Sequence, residues 1–153
     1  MADFKTIDRE VLVEELNKKF SQCVEAFEDN TNASIKVDKS KLVDVMGELK
    51  SNSQYGFTLL SCLTAVDYPE NFTVVYQLIS IDNKHKLTVK VEADKANPQV
   101  PSVVSVWKAA NVQEREVYDL MGITFVGHPN LIRILCPDDF VGHPLRKDWK
   151  MEA

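Results

Sequence analysis

Apolar residues recur along the first fifty positions with the spacing of two amphipathic helices. Over residues 9–28 they return every three or four positions, as they do on one face of a helix. The same spacing predicts a second helix over residues 39–50. Asp8 and Asp38 each stand just before one of these patterns, where a side-chain oxygen can cap the helix. Between the two helices, residues 33–37 are a candidate for a short strand.

Three strand-like runs follow, at residues 57–66, 72–81 and 86–92. The first two are almost continuously apolar or β-branched, which is typical of central strands. The third alternates between apolar and polar residues, which indicates a strand with one face in water. Turn-forming residues at 68–71 and 82–84 separate the runs, so we expect an antiparallel meander.

Together these patterns predict an α+β domain, in which two helices pack on a mixed or antiparallel sheet. The composition changes near residue 94, so we divide the chain into an α+β domain at 1–96 and a C-terminal extension at 97–153, within one compact unit. The expected core lies between the helices and one face of the sheet. Its predicted members are Phe20, Leu42, Leu59, Leu63, Val74, Leu78, Leu87 and Val89.

The extension is predicted to hold short helices and an irregular docking segment. Residues 102–110 have the pattern of a short helix that carries Trp107. Asn111 and Glu114 have the spacing of a capping box that opens another helix. Gly122 occupies the place of a glycine that follows a helix C-terminus. Short strands are expected beyond it, at 123–125 and 131–135.

Composition and charge narrow the function classes. The 153 residues are enough for one domain with its own core, without disulfides or metals to stabilise it. The chain has 18 basic and 23 acidic residues, which gives a formal charge of −5. This balance argues against a nucleic-acid-binding protein, because such proteins present a basic surface.

The cysteines and the missing motifs argue against a cofactor on this chain. Cys23, Cys62 and Cys136 are odd in number and far apart, unlike a disulfide framework, a zinc ribbon or an iron–sulfur motif, and this fits a reducing compartment. No glycine-rich phosphate loop supports a nucleotide site. We expect no signal peptide and no membrane span, so contact with a membrane would come only through partners.

The chemically informative stretch is 114–149. It contains two Gly-His-Pro sequences, with His128 and His143, and three of the chain's four arginines. Arginine forms bidentate pairs with carboxylates, which are abundant here. Arg115 and Asp119 have the i, i+4 spacing of an ion pair on one helix.

Three kinds of chemistry are conceivable for this stretch. A metal could bind His128, His143, Cys136 and Asp138, but these residues lack helical or Cys-x-x-Cys spacing, and Gly-His-Pro also makes tight turns. Acid–base catalysis could use Glu114, Glu116, Asp119 and a histidine. Nucleophilic catalysis could use Cys136 or Ser102, although no motif surrounds either residue.

A docking surface for another protein is the interpretation that the residues favour. Arginine, histidine and aromatic residues are dense here, and prolines stiffen the chain. A solvated charged tail is the alternative. The apolar residues at positions 123, 125, 131, 134 and 135 argue against it, because they can fold back onto the domain.

The same stretch resembles the signature of the C subunit, or 30 kDa subunit family, of NADH:quinone oxidoreductase, which is respiratory complex I. The family pattern is Glu-Arg-Glu, an aromatic residue, Asp, Gly-Ile, His-Pro, Arg-Ile-Leu and Gly-His-Pro-Leu-Arg-Lys-Asp. Ile132 departs from it, since many members carry a basic residue there. The first 90 or so residues match only in layout. The matching residues are Glu114, Arg115, Glu116, Tyr118, Asp119, Gly122, Ile123, His128, Pro129, Arg133, Ile134, Leu135, Gly142, His143, Pro144, Leu145, Arg146, Lys147 and Asp148.

This resemblance implies a peripheral-arm subunit that supports assembly and is not catalytic alone. It would contact the large hydrogenase-like subunit that helps to form the quinone site, together with other peripheral-arm subunits, on the cytoplasmic side of the cell membrane. Flavin, iron–sulfur clusters and quinone would belong to those partners. The docking residues would come from the matching residues, and Arg115, Arg133 and Arg146 would divide between internal carboxylates and the large subunit.

Two other functions stay open. A membrane-bound, energy-converting nickel–iron hydrogenase has an equivalent subunit with a similar signature, and the sequence does not separate the two complexes. A free-standing small enzyme with its own acid–base site is the second alternative.

Overall fold

The computed structural model describes residues 3–27 and 33–152, which form a six-stranded sheet, three α-helices and a small two-stranded sheet. The elements in chain order are β1 (Lys5–Thr6), α1 (Arg9–Phe20), β2 (Val24–Phe27), β3 (Ser34–Val37), a 3-10 turn (Lys39–Lys41), α2 (Leu42–Ser51), β4 (Leu59–Asp67), β5 (Asn71–Ser80), β6 (His85–Asp94), β7 (Gln99–Pro101), α3 (Ala110–Met121) and β8 (Thr124–Val126). Within the described residues, no helix is long and apolar enough to cross a membrane.

The large sheet is mixed, and its strand order is β2-β3-β6-β5-β4. The predicted meander is confirmed, because β4, β5 and β6 pair antiparallel. Strand β3 joins β6 in parallel, and the short β1 also pairs with β6. The predicted α+β class is therefore correct, with the parallel pairings making the sheet mixed.

The core lies between α1, α2 and one face of this sheet. Register places Val74, Tyr76 and Leu78 opposite Val91, Val89 and Leu87, so the buried side chains of β5 and β6 form cross-strand pairs. The helices contribute Leu12, Leu16, Leu42, Val45, Met46 and Leu49. The predicted Asp8 cap of α1 is confirmed, since Asp8 accepts from the Val11 amide at 3.3 Å. Asp38 accepts from the Ser40 amide at 2.8 Å and so caps the 3-10 turn, whereas α2 itself begins at Leu42, later than predicted and without a side-chain cap.

The first helix is shorter than predicted. It ends at Phe20, which is only half-buried, and Ser21 and Gln22 have positive φ angles of 62° and 56°. The chain then forms β2, which pairs antiparallel with β3. Val24 continues the helical spacing of apolar residues, but that spacing also suits a strand. Residue 28, the last of the predicted helix, lies outside the described residues.

The prediction that Leu59 belongs to the core is wrong, since this residue is 42% exposed. Its neighbour Leu60 is buried instead, and the register of β4 shifts between Leu60 and Cys62. Such a bulge reverses the alternation of faces along a strand. Leu63, which lies beyond the bulge, therefore shares the inner face with Leu60 although the two are three residues apart.

The segment before α3 is a series of turns, so the helix predicted over 102–110 is wrong. Trp107 nevertheless is buried, and its indole nitrogen donates to the Phe57 carbonyl at 3.2 Å. The helix that follows begins at Ala110 without a side-chain cap, so the predicted Asn111–Glu114 capping box does not form. Gln113 of α3 accepts from the Leu63 amide at 2.6 Å, which covers the edge of β4.

Strand β8 is confirmed at Thr124–Val126, shifted by one residue from the prediction, and it pairs in parallel with β7. The strand predicted at 131–135 is wrong, because this stretch is irregular. Its last backbone amides donate to the side chain of Asp119 in α3, so they are not available to a strand partner.

Candidate functional site

Helix α3 and the irregular residues 127–152, which we call the tail, form one hydrogen-bonded unit. The helix ends at Gly122, as predicted, in the left-handed conformation with φ 72°. A Cβ atom at this position would lie 2.6 Å from the His143 ring and 2.7 Å from the Arg146 guanidinium. Glycine is thus required twice, by its backbone angle and by the close approach of the tail.

The tail supplies hydrogen bonds to the C-terminal carbonyls of α3. Such carbonyls have no partner within a helix, and cationic side chains are favourable there. The first of these carbonyls, Tyr118 O, accepts a hydrogen bond of 2.9 Å from the amide of Gly122, the residue that caps the helix. The tail then satisfies the next three carbonyls: His143 Nδ1 lies 2.9 Å from Asp119 O, Leu145 N donates to Leu120 O at 3.0 Å, and Arg146 Nε donates to Met121 O at 2.6 Å.

The fully buried carboxylate of Asp119 organises the start of the tail. Its Oδ2 accepts from the consecutive amides of Ile134, Leu135 and Cys136 at 3.1, 2.7 and 2.9 Å. Its Oδ1 accepts from Arg133 Nη1 at 2.8 Å. Burial alone would raise the pKa of this carboxyl, but the three amides and Arg133 outweigh burial and hold its pKa well below the ordinary range.

All three signature arginines point into the chain. Arg115 donates from Nε and Nη2 to the carbonyls of Ile132 and Arg133, at 3.2 Å each. Arg133 also donates to Gly142 O at 2.9 Å. The Arg146 guanidinium lies 5.1 Å from the centroid of the Phe72 ring, a cation–π arrangement. Among the described residues, Arg133 is the one signature arginine that forms a salt bridge, and its partner is Asp119.

A second buried carboxylate, Glu114, joins α3 to the segment that follows β7. Its two oxygens accept from Ser102 Oγ at 2.6 Å and from the Val103 amide at 2.8 Å. Burial raises the pKa of Glu114, although these hydrogen bonds and His128 oppose the shift. Two carboxylates on one helix therefore have pKa values displaced in opposite directions.

Asp67, at the end of β4, connects the tail to the main sheet. Its Oδ2 accepts from the Lys147 amide at 2.9 Å, and its Oδ1 pairs with Lys95. Lys95 and the Lys147 amide lower the pKa of this carboxyl. Sequence reasoning missed Asp67 and Phe72, because each lies more than seventy positions before the tail residue that it meets and neither belongs to a motif.

The histidines of the two Gly-His-Pro sequences hold the backbone. His128 Nε2 lies 2.9 Å from Asn111 O, and His128 Nδ1 accepts from the Asn130 amide at 2.9 Å. The amide contact requires an unprotonated Nδ1, so Nε2 carries the hydrogen that is donated to Asn111. His143 contacts the Asp119 carbonyl at the end of α3. The His128 ring therefore fixes the turn at 128–130 against α3, and the His143 ring joins the tail to the end of α3.

The catalytic and metal-binding interpretations find little support in this geometry. Across residues 3–27 and 33–152, no three His, Cys, Asp or Glu side chains are grouped to hold a metal. Glu114 and Asp119 are buried in separate hydrogen-bond networks, while Glu116 of the same helix is exposed to solvent. Burial and the nearby Asp119 raise the pKa of the Cys136 thiol, which disfavours the thiolate that a nucleophile needs.

The outward side of this unit is rich in exposed apolar side chains. Among the other charged and aromatic signature residues, Tyr118 is half-buried, while Glu116, Lys147 and Asp148 face solvent. Interfaces for other proteins have such apolar cores on a preorganised backbone. The exposed apolar side chains of the unit and its flanks are Val112, Val126, Ile132, Ile134, Leu135, Val141, Leu145 and Met151.

Comparison with known proteins gives one consistent result. A family model described as the respiratory-chain NADH dehydrogenase 30 Kd subunit matches residues 35–153. The C subunit of NADH-quinone oxidoreductase from Moorella thermoacetica is 48% identical over 143 residues, which covers 92% of this chain and 95% of the relative. The corresponding C subunit from Geobacter metallireducens is 44% identical, covering 90% of this chain and 87% of the relative.

Two solved structures share the fold. A trypsin-resistant fragment (1–134) of Nqo5 matches with a TM-score of 0.65 and 32% identity, over 81% of this chain and all of the fragment. One component of the membrane-bound sulfane sulfur reductase, an archaeal respiratory membrane complex, matches with a TM-score of 0.77 and 26% identity, over 93% of this chain and 85% of that component.

Proposed function

Because the chain belongs to the 30 kDa subunit family of respiratory-chain NADH dehydrogenase, and is thus a subunit of a complex I-type assembly, we propose that it acts there as a docking subunit. Its partner is the large hydrogenase-like subunit that helps to form the quinone site. The exposed apolar side chains on the tail support this proposal most directly, since they stand on a backbone fixed by Asp119, Arg133 and Arg146.

The proposed role needs no cofactor on this chain, so flavin, iron–sulfur clusters and quinone belong to partner subunits. The position of the cysteines supports this part of the proposal. Cys23 precedes β2, Cys62 lies in β4 and Cys136 lies in the tail, and all three are free thiols. We place the subunit on the cytoplasmic side of the membrane, attached through its partners.

The test replaces one exposed apolar residue of the tail by a charge. Leu135→Lys and Leu145→Lys act on side chains that are 62% and 60% exposed, and Ile81→Lys is a matched control at 61% in the β5–β6 turn. Both tail variants should fold but lose co-purification of the large subunit, because a charge is then buried in an apolar interface. The control should retain it.

Normal recovery of the large subunit with both tail variants would contradict the docking proposal. The same preparations test the cofactor statement, since the isolated chain should contain neither stoichiometric iron nor flavin by metal analysis and absorbance.

A second candidate function is that of the equivalent subunit in a related membrane-bound complex, such as an energy-converting hydrogenase. The observation that favours it is the fold and the 26% identity shared with a component of the sulfane sulfur reductase complex. Mass spectrometry of the co-purified partners distinguishes the two.

A further inference from the structure

The loop 135–141 carries the most exposed part of the tail. Leu135 is 62% exposed and Val141 is 87% exposed. Between them, the Phe140 amide closes a turn by donating to Pro137 O at 3.0 Å. Two adjacent carboxylates, Asp138 and Asp139, occupy the middle of this turn, and both are exposed.

This loop is supported from below at both ends. The Phe140 ring stacks on Trp149, with 5.8 Å between ring centroids, and the Arg133 guanidinium lies 5.7 Å from the Phe140 ring. At the other end, the amides of Leu135 and Cys136 donate to Asp119. These contacts attach both ends of the loop to the rest of this chain, and such preorganisation lowers the entropic cost of association.

The cation and the carboxylates closest to this loop in sequence differ in exposure: Arg133 is half-buried, whereas Asp138 and Asp139 are exposed. Arg133, the cation nearest in sequence, is half-buried and engaged with Asp119 and Gly142. Asp138 and Asp139 have no hydrogen bond or ion pair within the described part of the chain. The outward face of the loop is thus acidic beside two exposed apolar side chains.

From this arrangement we propose that the loop 135–141 inserts into an apolar pocket of the large subunit that is flanked by arginine or lysine side chains. This inference rests on the proposed docking function and adds the chemical character of the partner surface. Leu135 and Val141 fill the pocket, while the paired carboxylates of Asp138 and Asp139 accept hydrogen bonds from its cationic rim. At this loop, the cations of the proposed interface would come from the partner and the carboxylates from this chain.

The inference is tested by the rate at which the purified large subunit binds the immobilised full chain. In the double variant Asp138→Asn, Asp139→Asn, the association rate constant at low salt should fall about 10-fold, since complementary charge accelerates association. Its dependence on salt should also become weaker. The control Glu70→Gln, Asp82→Asn removes two exposed carboxylates elsewhere and should behave like the wild type.

The outcomes separate the inference from the proposal on which it rests. An unchanged or faster association of the Asp138→Asn, Asp139→Asn variant, with Leu135→Lys still unable to bind, would overturn the basic rim and leave docking intact. Normal binding by Leu135→Lys and Leu145→Lys would overturn docking itself. An association about 10-fold slower in the test variant alone supports the inference.

Discussion

At the scale of single residues, α3 shows how environment decides the behaviour of a carboxyl group. Asp119 and Glu114 are both buried on this helix. Asp119 accepts hydrogen bonds from three amides and a guanidinium, and these bonds lower its pKa. Glu114 accepts hydrogen bonds from only one hydroxyl and one amide, and burial raises its pKa. The number of donors that face each carboxylate therefore determines whether its charged form is favoured.

These opposite shifts predict opposite dependence of stability on pH. Ionised Asp119 stabilises the fold above the unfolded-state pKa of about 3.9, and this contribution is lost as pH falls toward its lowered folded-state pKa. For Glu114, the fold is most favoured below the unfolded-state pKa of about 4.3, and stability is lost as pH rises through its raised folded-state pKa. The two residues thus respond oppositely to the same change in pH.

The variants Asp119→Asn and Glu114→Gln test this by urea unfolding over a pH series. At pH 7, Asp119→Asn should lower the free energy of unfolding by about 1.5–3 kcal/mol, because charged hydrogen bonds become neutral. That difference should shrink in acid. The free energy of unfolding of Glu114→Gln, relative to that of the wild type, should increase as the pH is raised from acid to neutral. Parallel pH profiles for the two variants would contradict the assigned shifts.

The residue scale also shows what sequence spacing cannot determine. Arg115 and Asp119 have the spacing of a helical ion pair, yet Asp119 pairs with Arg133 and Arg115 binds two carbonyls. The chain returns over α3 after residue 127, and this return brings better-placed donors to Asp119. A local pattern is overridden here by a contact that depends on the whole path of the tail.

At the scale of elements, the tail completes α3 and so explains the Gly-His-Pro-Leu-Arg signature in physical terms. His143 and Arg146 donate side-chain hydrogen bonds to the helix C-terminus, and Leu145 contributes its backbone amide. Gly122 leaves room for both side chains. The spacing of this signature therefore matches successive carbonyls at the end of one helix.

This capping role predicts different costs for two neighbouring substitutions. Arg146→Ala should lower the free energy of unfolding by about 1.5–3 kcal/mol, because it removes a charged donor from Met121 O. Lys147→Ala is the matched control, since that side chain is exposed and only its backbone amide contacts Asp67. Its effect should stay within about 0.5 kcal/mol. Equal losses in urea unfolding would show that α3 does not depend on this cap.

The elements that the sequence predicts well are those with uninterrupted patterns. The meander, α2 and the end of α3 follow from periodicity and from Gly122. The errors share a different cause. The end of α1, the bulge in β4 and the irregular stretch 131–135 each depend on a distant partner, respectively β3, β5 and Asp119. Periodicity contains no information about such partners.

At the scale of the whole molecule, the C-terminal extension shares the core of the first ninety residues. Val100, Val103, Trp107 and Phe125 are buried, and the Trp107 indole binds Phe57 O. Asp67 then joins the sheet to the tail through the Lys147 amide. These contacts support the expectation that the segments 1–96 and 97–153 form one cooperative unit, and they also suggest how to test it.

The two tryptophans of the chain report on its two parts. Trp107 lies in the core, while Trp149 stacks on Phe140 in the tail. The variant Trp149→Phe leaves only the fluorescence of Trp107, and the variant Trp107→Phe leaves only that of Trp149. In each variant, the fluorescence transition in urea should coincide with the far-ultraviolet circular dichroism transition, because a single cooperative unit loses all its contacts together.

The comparison is made within each variant, so a change in overall stability caused by either substitution does not affect it. A Trp149 transition at lower urea than the circular dichroism transition would contradict the single unit and show that the tail detaches first. In that case the docking surface would order only when the partner binds, and the ordering would reduce affinity. Coincident transitions would mean that the contacts that stabilise the domain also fix the backbone of the proposed docking surface.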